Sequence, residues 1–523
     1  MEKTVSKIIS VLFLVIFIPV LFCVFAFGNN MNYFDVVKQN FLCHNIWLLP
    51  ICIVFMVLAF LIRKPLNKVT IIGKKRNSII FVCVAVVFYV LMYAVNIEVS
   101  KCIAFYSGWD MGNVTGSVYS LLDGHTLSED FYYRLFPFNI FNVYYLYKLF
   151  GLAKSLPNYP YNPEFIWIQF SCLLFSLSGL LTTLSVRRIT RKAAPTIFSM
   201  LLYAALLGIS PWKTIPYTDT ISFSFGILAV YLFICSREIR SWRRYILWGV
   251  ICIISFLGAQ IKATVYVPVV ALTIIQIVSS LSLKGVACKI KNIAVTLLIL
   301  ALCFGLSLLF KSHVFKVVGY DTSQDLKLTW SHLVRLGSNE YSTGGFSSEH
   351  YVLFYDYLDR PVEERHAEER RQIAERFRTR GLLGNLDFYL RKNVMNYNDG
   401  TFCWYLEGNF HMGEYGELTT NRFKPLLRDF FWYEGRFYRY FLTYSQLVWL
   451  FTLLMIPCCT LLPFLSRDAD YSIKIGTVVL VLLGITLFVT LFEGRARYFL
   501  NMSPVFVLAA SLGLDFTFKK SNG

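Results

Sequence analysis

Residues 45–76 read NIWLLPICIVFMVLAFLIRKPLNKVTIIGKKR. The stretch 45–62 carries no charge, whereas the loop 63–77 holds Arg63, Lys64, Lys68, Lys74, Lys75 and Arg76 and no acid. As a helix, eighteen residues rise about 27 Å at ~1.5 Å each, close to the thickness of a bilayer's hydrocarbon core. An uncharged apolar run ending in a Lys/Arg cluster marks a helix that leaves the membrane on its cytoplasmic side.

The same signature recurs along the chain. Apolar runs fall at 8–27, 45–62, 78–97, 164–185, 193–210, 219–236, 245–261, 263–283, 293–311, 442–465, 471–492 and 498–516. They predict an all-α polytopic membrane protein with about 12 transmembrane helices. Only 16% of the 523 residues are charged, against about 25% in soluble domains, which excludes a large soluble core. The first run follows Lys3 and Lys7 and ends in bulky Phe25 and Phe27. A signal peptide has a shorter apolar region and small residues at its cleavage site, so this run reads as a retained anchor.

Net charge is +18, but nucleic acid is not the expected partner. The cations sit in short loops: 63–77, then Arg187, Arg188, Arg191 and Lys192, then Arg237, Arg240, Arg243 and Arg244, then Lys284, Lys289 and Lys291, and finally Lys519 and Lys520. Alternating spans put all five groups, and both termini, in the cytoplasm of a cell-membrane protein. The thirteen cysteines show no metal or disulfide spacing and read as small buried hydrophobes. Residues 138–152 are apolar but short and contain Asn139, Asn142 and Lys148, so they are expected as an interfacial or re-entrant helix. The organisation is then 1–97, N-terminal spans; 98–163, a first outer loop with interfacial helices; 164–311, a transmembrane core; 312–441, a mixed outer-face domain; and 442–523, C-terminal spans.

Five groups of residues, all assigned to the outer side, can carry chemistry. Asp110, after Gly108-Trp109, is either a helix cap or a carboxylate able to take a proton from a hydroxyl. Asp219, in Tyr217-Thr218-Asp219-Thr220, is either an N-cap or a second site acid. Lys262 either snorkels toward water or holds a lipid phosphate. Arg495 and Arg497, in Glu493-Gly494-Arg495-Ala496-Arg497-Tyr498, run against the positive-inside trend and need a partner, either Glu493 or a phosphate bound in forked geometry. Asp399, in Asn398-Asp399-Gly400-Thr401-Phe402 with nearby Trp404, is first a turn signal and second a sugar-stacking platform.

In order and topology these motifs, with Tyr132-Tyr133-Arg134-Leu135-Phe136-Pro137-Phe138-Asn139, resemble the glycosyltransferase C superfamily of polytopic sugar transferases. The likeness is to the bacterial branch related to protein mannosyltransferases and aminoarabinose transferases, and more narrowly to a Gram-positive group of multi-span membrane proteins. The resemblance covers most of the chain, although each motif is short. It implies a glycosyltransferase C type fold. It also implies a hexosyl or pentosyl transferase that takes sugar from a polyprenyl-phosphate donor on the outer face. The acceptor would be an envelope glycan, lipid or protein, and transfer would proceed with inversion. Asp110 would be the base, Asp219 a second acid, and Lys262, Arg495 and Arg497 the phosphate binders. Trp109, Tyr133, Arg134, Tyr217, Asp399, Trp404 and Glu493 are candidate sugar or acceptor contacts. No cofactor is expected. Asp110 precedes Met111 and Gly112, and Asp219 has no acid two residues away, whereas metal-binding relatives pair acids around their outer loops. The alternative function is a flippase or transporter of lipid-linked saccharides. It predicts polar residues through the middle of the bundle, while here the ionisable groups gather at its rim.

Overall fold

A computed structural model describes residues 1–28, 41–68, 74–127, 130–157, 162–239, 241–324, 326, 328, 330–346, 360–404, 418–433 and 435–517. Arg240, Lys519 and Lys520 lie outside the described residues, as do the side chains of 74–78. Among the described residues the protein is helical throughout. Ten helices there are long and apolar enough to cross a membrane: Glu2–Phe27, Asn45–Lys68, Ile79–Ile103, Pro163–Thr190, Thr218–Ser236, Arg243–Ile261, Ala263–Leu281, Val286–Val318, Tyr438–Leu465 and Ala469–Leu491.

Two of the twelve expected spans, 193–210 and 498–516, are not among the ten. The first is a shorter helix, Ala193–Gly208, which loosens to π geometry over Ala204–Gly208. It stops ahead of Pro211, which disfavours helix in the residue before it and opens a 3-10 turn, Pro211–Thr214. In the second, Ala496–Met502 winds as 3-10 helix and only Ser503–Gly513, with proline at its start, is α-helical.

Polar contacts gather the basic clusters at one end of the bundle. The Arg63 guanidinium donates to the Leu514 carbonyl at 2.9 Å. Lys192 pairs with Asp515 at 2.5 Å and Arg188 with Glu238 at 2.5 Å. Arg237 bridges Glu2 at 3.1 Å and Asp470 at 3.0 Å. Glu2 and Asp515 therefore meet the loops that carry Arg188, Lys192 and Arg237.

Glu2–Phe27 packs along Ala469–Leu491, so closely that a Cβ on Gly476 would stand 2.7 Å from Ser6 Oγ. At the other end Asn45 donates to the Val24 carbonyl at 2.8 Å and to Asn398 Oδ1 at 2.6 Å. Gln446 donates to the side-chain oxygens of Asn45 at 3.1 Å and Asn398 at 3.2 Å. These amides are buried and satisfy one another, which apolar surroundings demand.

The segment 138–152 forms a 3-10 turn, Pro137–Asn139, and a 15-residue helix, Ile140–Lys154. It packs on Val286–Val318 through Phe141 against Phe315 and Tyr144 against Phe310. The segment 312–441, predicted as a mixed outer domain, has helices as its only regular structure among the described residues, chiefly Trp330–Gly337, Val362–Tyr397 and Lys424–Phe431. The Val362–Tyr397 helix breaks at Gly381, whose φ of 60° suits glycine. Beyond that break it enters the bundle beside Ala469–Leu491, where Thr490 Oγ1 donates to Asn393 at 3.0 Å and the Tyr397 and Thr486 hydroxyls lie 2.6 Å apart. No apolar run announces this insertion, because side-chain hydrogen bonds satisfy it.

Candidate functional site

The site forms where one span breaks internally and two others end. Thr218–Ile221 is one turn of helix separated by bends from Phe225–Ser236. Between Arg243–Ile261 and a 3-10 turn, Lys262 is extended, with φ −143° and ψ 119°. After Ala469–Leu491 the chain opens through Arg495, also extended, into the 3-10 helix Ala496–Met502. Each break releases a side chain that a continuous helix would have aimed elsewhere. Trp109–Leu122 is the fourth element and brings Asp110 in its first turn.

Asp219 is fully buried. Its carboxylate does not cap its own helix; Oδ2 accepts from Lys262 Nζ at 3.0 Å and lies 3.7 Å from Arg497 Nε. Its Oδ1 is buried without a hydrogen-bond partner, an arrangement that costs about 1–3 kcal/mol and is one of the rare exceptions that ask for a reason. Arg497 lies over the Tyr217 ring at 4.4 Å, and Lys262 over the Tyr498 ring at 4.6 Å. Burial pushes the Lys262 ammonium toward its neutral form, while Asp219 holds it charged. Lys262 therefore does not snorkel to water; it folds onto an acid and a ring.

The Tyr217 hydroxyl donates a short hydrogen bond to Asp110 Oδ2. Tyr132 also hydrogen-bonds with Asp110, and Asn139 donates to the Tyr132 oxygen at 2.5 Å. Burial first, and then the Asp110 charge, pushes the Tyr132 phenol well above its ordinary range. Burial and Glu493 do the same to Tyr498, which hydrogen-bonds with Glu493. Both phenols thus keep their protons and serve as donors. Asp110, Tyr217, Arg497, Asp219, Lys262, Tyr498 and Glu493 form one continuous chain of contacts. Arg495 and Arg497 both act on the nearby Cys403 thiol.

Other expected site residues are placed differently. Tyr133 is buried and donates away from the cluster, to the Asn113 carbonyl at 3.1 Å and Ser117 Oγ at 2.9 Å. The Arg134 guanidinium lies 5.9 Å from the Phe131 ring. Asp399 is buried and closed on its own turn, accepting from Thr401 N at 2.8 Å, Thr401 Oγ1 at 2.7 Å and Cys403 N at 2.7 Å. That turn holds Phe402 and Cys403 at φ 57° and 63°, unusual for residues with a Cβ. Trp404 is buried against Trp212 and Phe105, its indole N–H on the Phe431 carbonyl at 2.8 Å, so it offers no open stacking face. Trp109 opens its helix, and its side chain is outside the described residues.

Sequence reasoning chose Tyr133 and passed over Tyr132 and Tyr498 as site donors. Successive residues of a helix point about 100° apart, so only one of the adjacent tyrosines in Asp130–Leu135 faces Asp110. Tyr498 stood in the quoted motif, but a lone tyrosine there carries no signal without the fold.

Among the described residues no three His, Cys, Asp or Glu side chains gather as a metal site. A cavity of about 540 Å³ lies at the opposite end of the bundle, lined by Arg191, Lys192, Tyr471, Lys474 and Asp515 among others. None of the cluster's residues lines it.

The family model described as "Conserved hypothetical integral membrane protein" matches residues 1–518, and the chain belongs to that family. No curated protein and no solved structure matches it.

Proposed function

We propose that this integral membrane protein is a glycosyltransferase that moves a sugar from a polyprenyl-phosphate donor to a cell-envelope acceptor. One observation carries the reading. Asp110, Asp219, Lys262 and Arg497, up to 387 positions apart in the sequence, converge with Tyr217 between them. The resemblance of their motifs to the glycosyltransferase C superfamily gives that cluster its chemistry.

The site faces outward in this reading. The basic clusters Arg63, Arg188, Lys192 and Arg237 share the other end of the bundle, and positive-inside bias makes that end cytoplasmic.

Asp110 accepts the proton of the acceptor hydroxyl, its carboxylate oriented by Tyr217 and Tyr132. The freed oxygen pair attacks the anomeric carbon opposite the lipid phosphate. A new C–O bond forms to the acceptor, and the anomeric carbon–oxygen bond to phosphate breaks. The bond's electrons leave on polyprenyl phosphate, and the sugar's configuration inverts. Lys262, Arg497 and Arg495 receive the developing phosphate charge, the kind of preorganised electrostatic stabilisation that supplies much of catalysis. Before donor binds, Asp219 keeps two of these cations paired; the phosphate then competes for them. No divalent ion enters the scheme.

The test uses purified protein in proteoliposomes with a radiolabelled polyprenyl-phosphate sugar and an envelope extract as acceptor. Wild type transfers label. Asp110→Asn inserts and unfolds normally but loses transfer by about 100-fold or more, the share of a positioned general base. Equal turnover by Asp110→Asn removes the residue from this role. Label that crosses the bilayer without acceptor points to a flippase instead.

A further inference from the structure

We infer that Asn501 is a positioning residue that locks the three helix interruptions, and so Asp219, Lys262 and Arg497, into a single rigid unit. The inference rests on the functional reading above only for its consequence on lipid-phosphate binding.

Each interruption carries an ionised residue and, two to four positions further along the chain, a polar residue that the ion cluster does not use. Asp219 is followed by Ser222, Lys262 by Thr264, and Arg497 by Asn501. These three second residues are buried and meet one another. Asn501 Nδ2 donates to Ser222 Oγ at 3.0 Å and to Thr264 Oγ1 at 2.8 Å, while Thr264 Oγ1 donates to Asn501 Oδ1 at 3.1 Å. A single amide thus spends both of its N–H groups and its oxygen on the other two segments.

The geometry explains why an amide stands here. A side chain that holds two hydroxyls from two directions needs donors and an acceptor at a fixed angle, which Asn supplies and Ser or Leu does not. Helix breaks leave backbone groups without their usual partners and let each short segment pivot. Lys262 and Arg497 both approach Asp219 Oδ2, so a pivot in any one segment would loosen the whole ion cluster. The tie is made entirely by neutral groups. It therefore fixes position without adding charge to a site that already holds three ions. A separate hydroxyl pair, Ser178 Oγ and Ser224 Oγ 2.8 Å apart, holds the turn that follows Asp219 from another side.

The experiment compares wild type with Asn501→Leu, Thr264→Val and Thr264→Ser in nanodiscs. Hydrogen exchange is followed over residues 215–224, 258–266 and 493–502, and binding of farnesyl phosphate is titrated from pH 6 to 9. The lock predicts faster exchange in all three segments for Asn501→Leu and Thr264→Val, with Thr264→Ser near wild type because it keeps the hydroxyl. It also predicts farnesyl phosphate binding weakened by up to about 100-fold in the first two variants, the scale of a ~1 Å misplacement, with an altered pH profile. Faster exchange confined to 493–502 in Asn501→Leu overturns the lock. Unchanged binding in Thr264→Val despite faster exchange overturns the positioning role. If wild type itself ignores farnesyl phosphate, the transferase reading fails, and the exchange pattern alone decides the lock. Should Asn501→Leu not fold, Thr264→Val against Thr264→Ser decides both points, and faster exchange confined to 258–266 in Thr264→Val then overturns the lock.

Discussion

Replacing Asp219 by asparagine should cost far more stability than a surface change of the same size. The carboxylate is fully buried with Lys262 at 3.0 Å and Arg497 at 3.7 Å. At an effective dielectric constant of about 20, unit charges at those separations attract by roughly 5.5 and 4.5 kcal/mol. Desolvation of the three ions offsets much of this, and removing one partner of a buried pair typically costs about 3–5 kcal/mol. Asp219→Asn should fall in that range, since it leaves two cations facing each other. The double variant Asp219→Asn/Lys262→Met should recover a good part of the loss, because only one uncompensated cation then stays behind. The assay is reversible unfolding in mixed micelles of wild type, both single variants and the double variant. Energies that simply add, or an Asp219→Asn protein as stable as wild type, would refute the claim that this acid holds the cluster together.

Other expectations follow from single contacts. Tyr217→Phe removes the phenol that donates to Asp110; a hydrogen bond to a charged group contributes about 1.5–3 kcal/mol, so transfer should drop roughly 10- to 100-fold with binding of farnesyl phosphate little changed. Lys392 is buried among the carbonyls of Gly337, Thr490 and Phe492, and burial pushes its ammonium down to about 7 from an ordinary 10.5. The folded state then sheds this proton near neutrality while the unfolded chain keeps it to about pH 10. Wild type should therefore gain stability between pH 7 and 10 relative to Lys392→Met; parallel pH profiles of the two would contradict this. Gly400→Ala places a Cβ 2.2 Å from the Ser445 carbonyl oxygen, a backbone atom that cannot step aside, and should destabilise by about 1–3 kcal/mol, read as a lower unfolding temperature in detergent.

The long spans were legible because the bilayer writes them as uncharged runs of fixed length. The break at 222–224 and the 3-10 stretch 496–502 were not, since a short turn or 3-10 segment keeps the apolar composition of the span around it. Asp110, Asp219, Lys262, Arg495 and Arg497 stood out because charge at the membrane edge is costly, and four of them meet through shared contacts. Asp399 and Trp404 had the same prominence for a different reason. Their turn satisfies itself, and sequence cannot tell a carboxylate used internally from one offered to a ligand. Asn501 gave no signal at all. Its importance lies in two hydroxyls 237 and 279 positions away.

The close seat of Ser6 against Gly476 bears on how the protein is made. The helix Glu2–Phe27 finds its main neighbour only after more than 440 further residues have been synthesised. Until then its inward side, with Ser10, Phe13 and Phe17 buried in the finished bundle, must be sheltered by lipid, by the insertion machinery or by provisional contacts with early helices. A chain terminated before residue 469 would keep that side open permanently, so late stop codons should produce quality-control substrates rather than partly working protein.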